Sequence, residues 1–195
     1  MNIYVVDDDV EFRNSLKRFL ELYDFKVQLF ANGGVFLAVA EDLTPGCLLL
    51  DLWMPELNGL GLQSALLEMG SHHQQIFMSG FGQTAHAVSA IRAGATDFLD
   101  KPYHPQQLLE AISRAEECLK QRRKHENTKV LLDQLTQKEQ AVLTASNGGK
   151  ASKLVADQLM LSIRTVEKHR SSIIHKLGVH NFAGALLVAA GQRSS

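Results

Sequence analysis

Three aspartates in a row, Asp7, Asp8 and Asp9, follow the apolar run 3–6, and another, Asp51, follows the run 47–50. A hydroxyl, Ser79, follows residues 76–78, and an ammonium, Lys101, follows residues 98–99 with Pro102 behind it. Carboxylates brought together repel one another unless positive charge sits among them. Magnesium would relieve the repulsion, because it takes oxygen ligands, keeps several waters and binds phosphate oxygens. Lys101 and the Ser79 hydroxyl could hold the remaining oxygens of a phosphoryl group. Phosphoryl transfer asks mainly for positioning and charge neutralisation. Since carboxylates form acyl phosphates, Asp51 is the candidate nucleophile. Each part alone has a plainer reading: an aspartate as a cap, a loop hydroxyl, a solvated lysine, an acidic run facing the positive end of a helix. Their coincidence at the ends of separate apolar runs favours one shared site.

A second chemistry lies in the last third of the chain. At 100° per residue, the helix expected after Ser162 places Ile163, Val166, Ile173, Ile174 and Leu177 on one buried stripe. Arg164, Lys168, Ser171 and His175 fall on another face, with Glu167 at its flank. Such a face can lie in the major groove of DNA. Lys150, Lys153 and the Thr165 hydroxyl are placed for phosphates, which fix register without reading sequence. Lys168 could read guanine, Glu167 could accept from a cytosine amino group, and Ser171 is permissive. His169, beside the stripe, reads as a packed residue. Arg170 falls on the stripe itself; packing its stem with its head at a phosphate is one solution, and the sequence leaves its role open. The plainer reading of the helix is a solvated face in a small bundle. Charge weighs against it: 16 acids and 7 Lys/Arg up to Cys118 give −9, and 5 acids and 13 Lys/Arg from Leu119 onward give +8. That split suggests two modules, one prepared for a polyanion.

The elements that must position these residues follow from periodicity. Residues 3–6, 27–30, 47–50, 76–78 and 98–99 read as strands. Helical spacing runs through Phe12, Leu16, Phe19, Leu20 and Tyr23, over 35–40, 59–68 and 84–93, and onward from Pro105. Alternating strands and helices imply an α/β, flavodoxin-like, doubly wound parallel sheet of five strands, with ligands bound at the carboxyl ends of the strands. Residues 119–134 read as a charged helical linker. From 135 the pattern is all helical: a capping box at Thr136 and Glu139, a turn at Asn147-Gly148-Gly149, and a tight Met160-Leu161-Ser162 corner that makes a helix-turn-helix candidate. Apolar residues make up 45% of the chain and charged residues 21%, which excludes wholesale disorder. No apolar run approaches a bilayer span, and the early aspartates argue against a signal peptide. Cys47 and Cys118 read as reduced core thiols, which suggests the cytoplasm.

Val5-Val6-Asp7-Asp8-Asp9, Leu50-Asp51-Leu52-Trp53-Met54-Pro55, Met78-Ser79-Gly80 and Asp100-Lys101-Pro102 resemble the receiver domain of two-component response regulators. The resemblance covers residues 1–118. It implies that Asp51 accepts a phosphoryl group from a sensor histidine kinase, and that Asp7, Asp8, Asp51 and the Trp53 carbonyl hold Mg2+. It implies too that Lys101 contacts the phosphoryl group through a turn with a cis bond to Pro102, and that Ser79 and Phe98 are the switch pair. Leu135-Thr136-Gln137-Lys138-Glu139, Lys153-Leu154-Val155-Ala156, Leu161-Ser162, Thr165-Val166-Glu167, His169 and Lys176-Leu177-Gly178-Val179 resemble the NarL/FixJ (LuxR-type) helix-turn-helix, over the module at 135–195. This implies contacts to promoter DNA from Glu167, Lys168 and Ser171, beside the Lys153, Arg164 and Thr165 already placed.

Two departures stand out. Gly61 falls where the family often has a longer side chain, at a helix cost of up to about 1 kcal/mol. Asn147-Gly148-Gly149-Lys150-Ala151-Ser152 replaces the usual glycine-then-Asn-Lys turn. The expected protein is a cytoplasmic transcription regulator, not an enzyme and not a membrane partner. It would dimerise on phosphorylation through the fourth helix and fifth strand and work with RNA polymerase. An aspartyl-phosphate phosphatase would carry a second Asp where Trp53 stands. A regulator acting through protein contacts without phosphate would not need the intact acidic set.

Overall fold

The computed structural model describes residues 1–80 and 84–191. The apolar runs form β1 (Asn2–Val6), β2 (Lys26–Phe30), β3 (Cys47–Asp51), β4 (Gln74–Gly80) and β5 (Asp97–Lys101). Between and after them come α1 (Val10–Glu21), α2 (Gly33–Leu37), α3 (Gly59–Glu68), α4 (Thr84–Arg92) and α5 (Pro105–Asp133). All strand pairs are parallel, in the order β2-β1-β3-β4-β5, the flavodoxin-like doubly wound arrangement. β3, between β1 and β4, is buried at every position, which is why its sequence is an unbroken apolar run.

Alternation along the strands sorts two cores. Ile3, Val5, Leu49, Met78 and Leu99 pack with Leu16 and Leu20 of α1 and Leu108 and Ile112 of α5. Tyr4, Val6, Leu48, Leu50 and Phe77 pack with Phe36 of α2, Leu62 and Leu66 of α3 and Ala90 of α4. Several boundaries differ from the sequence reading. Asp51 and Lys101 are the last residues of their strands, and Ser79 lies inside β4, because pairing to the neighbouring strand continues past the apolar run. α2 starts earlier and stops sooner than 35–40, since the Asn32 side chain caps it by accepting the Val35 amide at 2.9 Å. Cys47 is buried as expected, but Cys118 is exposed, beyond the last buried position of α5, Ala115.

α3 begins against the site-bearing strand. A Cβ on Gly59 would lie 2.6 Å from the Asp51 carbonyl oxygen and 2.9 Å from the Phe77 ring. Gly59→Ala is therefore expected to destabilise the first unit by about 1–3 kcal/mol through overpacking, read as a lower urea midpoint; an unchanged midpoint would show that β3 and α3 are not held this closely.

The chain divides into two compact units, Met1–Lys120 and Gln121–Ser195, and α5 passes from the first into the second. The second unit adds α6 (Gln137–Ala145), α7 (Ser152–Leu159), α8 (Ile163–Leu177) and α9 (Phe182–Gly191). Its core gathers Val142, Leu143, Val155, Val166, Ile173, Leu177 and Ala185, with Leu131 and Leu132 from the end of α5 packed on it. The expected capping box is present at Thr136 and Glu139. Gly148 and Gly149 both take φ +75°, so the turn before α7 needs residues without a Cβ.

Glu139 does more than cap. Its carboxylate accepts from the Thr136 amide at 2.7 Å, the Ser172 hydroxyl at 2.6 Å and the Lys176 ammonium at 2.7 Å, tying α6 to α8. Burial pushes its pKa up, but Lys176, Ser172 and Thr136 outweigh that and bring it down to about 2.

Candidate functional site

Odd-numbered positions of β1, β3 and β5 face the α1 and α5 side of the sheet, and Asp7, Asp51 and Lys101 continue that side at the carboxyl edge. They meet there. The Lys101 ammonium donates to Asp7 Oδ2 at 2.8 Å and to Asp51 Oδ1 at 2.6 Å. The Trp53 amide donates to Asp51 Oδ2 at 2.7 Å, and the Asp9 amide to Asp7 Oδ1 at 2.9 Å. The Lys101 ammonium also sits 4.0 Å from the centre of the Phe12 ring, and the Lys101–Pro102 peptide bond is cis. Burial pushes the Asp51 carboxyl above its ordinary range against the pull of Lys101, and the Asp7 charge adds to the rise. Burial works against the Lys101 ammonium as well, but the two carboxylates overcome it and hold its pKa above the usual lysine value.

The sequence reading had three carboxylates closing on one ion. The structure joins two of them and does so through Lys101. Asp8 stands exposed, and among the described residues no three His, Cys, Asp or Glu side chains are gathered closely enough to hold a metal. The Lys101 ammonium places one positive charge between the two carboxylates. The donor chemistry still suits magnesium. Asp7 and Asp51 present hard carboxylate oxygens with lone pairs to spare.

Ser79 is fully buried, and its hydroxyl has no hydrogen-bond partner among the described residues. A buried hydroxyl left so costs about 1–3 kcal/mol, so an acceptor atom supplied from outside would be stabilised there. By alternation Ser79 shares the α3 and α4 side of the sheet with Phe77 and Phe98. Phe98 is half-buried and stacks on Phe77, with ring centres 6.4 Å apart. Trp53 is half-exposed, its indole edge-on to His86 of α4 at 5.3 Å.

In the second unit, α7 and α8 form the expected tight corner. Arg164, Lys168 and Ser171 are exposed on α8, and Lys153 is exposed on α7. Other candidates are already engaged. The Thr165 hydroxyl lies 2.7 Å from that of Ser162, whose side chain caps α8. Glu167 accepts from the Ser152 hydroxyl and lies 4.0 Å from Arg170. Arg170, which the sequence left open, is structural: it donates to the Ser146 hydroxyl at 3.1 Å and the Lys150 carbonyl at 2.7 Å, and it lies over the Phe182 ring. Ile163, expected on the buried stripe, is 50% exposed. Sequence reasoning missed the Glu139 cluster; the capping-box pattern was its only signal.

Comparison with known proteins agrees with both units. Residues 3–113 match the response regulator receiver domain family, and residues 133–189 match the family of bacterial regulatory proteins, luxR family. The transcriptional regulatory protein TdiR of Thauera aromatica is 38% identical over 181 residues, covering 91% of this chain and 80% of its own. The transcriptional regulatory protein FixJ of Rhizobium meliloti is 34% identical, over 90% of this chain and 88% of its own. Among solved structures, the response regulator StyR superposes with a TM-score of 0.75 at 32% identity, over 97% of this chain and 98% of its own. Receiver domains typically bind Mg2+ at the phosphorylation site, and no single helix among the described residues is long and apolar enough to cross a membrane. With a receiver unit followed in sequence by a LuxR-type helix-turn-helix, this chain belongs to the two-component response regulators of the NarL/FixJ type, which are transcription regulators and not enzymes.

Proposed function

We propose that a sensor histidine kinase phosphorylates Asp51 and that the acyl phosphate switches sequence-specific DNA binding by the second unit. The observation that carries this reading is the Asp7–Lys101–Asp51 cluster at the carboxyl edge of the sheet, with the partnerless Ser79 hydroxyl on the neighbouring strand β4. An Asp51 carboxylate oxygen attacks phosphorus as the P–N bond to the kinase's phosphohistidine breaks and the histidine leaves, and the phosphoryl oxygens fall to Lys101 and Ser79. Asp7, Asp51 and the Trp53 carbonyl, with Asp8 turned in from its exposed position, would hold Mg2+, whose contribution would be to neutralise charge on the phosphoryl group. Drawing Ser79 toward the new oxygens disturbs the side of the sheet it shares with Phe98 and α4, and so shifts an existing equilibrium of the receiver.

Val88 and Ile91, both exposed on α4, offer apolar area for a dimer contact with β5. A dimer would set two α8 helices into half-sites about one helical turn apart. Lys168, Arg164 and Ser171 would read or grip the groove, with Lys153 and Thr165 near phosphates; Glu167 would have to leave Ser152 to contact a base. The protein would act in the cytoplasm, with promoter DNA and RNA polymerase as partners.

The test measures binding to DNA fragments selected from the genome, with and without acetyl phosphate and magnesium. Phosphorylation is expected to tighten binding in the native chain and to do nothing in Asp51→Asn. Lys168→Ala should weaken binding by about 1–3 kcal/mol while taking up phosphate normally. Equal tightening in Asp51→Asn would overturn the reading in favour of a regulator that works without phosphate.

A further inference from the structure

We propose that the corner between α7 and α8 reads thymine, with Ile163 and Met160 meeting C5-methyl groups in the major groove. The fold explains the residues between them. Leu161 packs on the core of the second unit, and Ser162 caps α8 by accepting the Thr165 amide at 3.1 Å. It does not explain Met160 or Ile163. Met160 is 94% exposed and holds φ 54° and ψ 43°, the left-handed region that disfavours a side chain. Ile163, the first residue of α8, is 50% exposed. Two large apolar side chains therefore stand in water at one tip of the unit, beside exposed Arg164.

The chemistry around them names the occupant. Residues from Leu119 onward carry a balance of +8, from 13 Lys/Arg and 5 acids, which suits a polyanion. The N-terminal end of a recognition helix is the part that reaches base edges. Among the groups a base pair shows in the major groove, the thymine methyl is the apolar one. Glu167, one turn beyond Ile163 on the same flank, has its carboxylate engaged by Ser152, so this flank offers the groove an apolar surface first.

The inference rests on α8 being the groove-reading helix, and one experiment separates the two claims. The full chain, treated with acetyl phosphate and magnesium, is bound to DNA fragments it selects and to the same fragments synthesised with deoxyuridine in place of thymidine. Binding is expected to weaken about fourfold for each contacted methyl removed. Ile163→Ala should lose the same amount on thymine DNA and become indifferent to one of the substitutions. Met160→Gly should lose affinity in the same way yet melt no lower, because glycine suits the left-handed backbone there. Native protein that binds both DNAs equally, or variants that keep the full methyl dependence, would overturn the proposal. So would variants of normal affinity that fail only in activating transcription, since the corner would then serve a protein partner. A chain that selects no DNA at all would sink the DNA-binding reading together with it.

Discussion

In Lys101→Met the first unit is expected to lose about 3–5 kcal/mol at neutral pH, the penalty for removing one partner of a buried ionic cluster. Asp7 and Asp51 have side chains only 2% and 12% exposed, and both lean on the one ammonium. Methionine fills the space but leaves the two carboxylates facing each other in a poorly solvated edge. They answer by binding a proton, so a folded-state pKa rises above the unfolded value near 3.9. A carboxyl raised in this way contributes stability below its unfolded pKa and forfeits it as pH rises through the folded value. The gap between native and variant should be widest at pH 7 and narrow towards pH 4. Urea unfolding at the two pH values checks this; midpoints that differ equally at both would mean that Lys101 packs rather than compensates charge. Phosphate uptake by the variant should fall as well, since the phosphoryl oxygens lose their cation.

The second large effect is expected at Glu139. Its carboxylate is 4% exposed and holds Thr136, Ser172 and Lys176 at once. Glu139→Ala unties the start of α6 from the middle of α8 and should cost about 3 kcal/mol. That is the lower end of the range for a broken buried pair, because Lys176 is 32% exposed and can turn to water. The pH dependence has the opposite sign to that of Lys101→Met. Here the folded pKa is depressed to about 2 from an ordinary 4.5, so the stabilisation is complete above pH 4.5 and drains away as pH falls toward 2. The native second unit should therefore lose stability across that window, and Glu139→Ala should show a flatter profile. Thermal melts followed by helix content would read it. A variant with a native melting temperature at pH 7 would show that the cluster is incidental. Phosphorylation of the first unit should not change.

Much of this was legible because the sheet is parallel and doubly covered. An element buried on both faces reads as a continuous apolar run, and the first polar residue after it marks the ligand edge; Asp7, Asp51 and Ser79 were found in that way, while Lys101 stands one residue further on, behind Asp100. What could not be read is what those residues do to each other. Whether the charge between Asp7 and Asp51 is balanced by an ion or by Lys101 depends on a long side chain reaching across two strands, and no spacing in the sequence encodes that reach. Ile163 was misplaced for a geometric reason. The stripe centres on Val166, Ile173 and Leu177, and Ile163 stands about 60° off Val166 at 100° per residue, in the first turn, where it is half exposed. Arg170 fell on the stripe because the wheel sees a charge and not its acceptors: the Ser146 hydroxyl and the Lys150 carbonyl come from the end of α6 and the turn after it.

The most direct measurement is to locate the phosphate. The full chain is incubated with acetyl phosphate and magnesium, and the modified peptide is mapped by mass spectrometry after the acyl phosphate is trapped as a stable adduct. A single modification at Asp51, missing in Asp51→Asn and dependent on magnesium, is the predicted result. Modification at another residue, or equal incorporation by Asp51→Asn, would contradict the assignment of Asp51 as the phosphoryl acceptor.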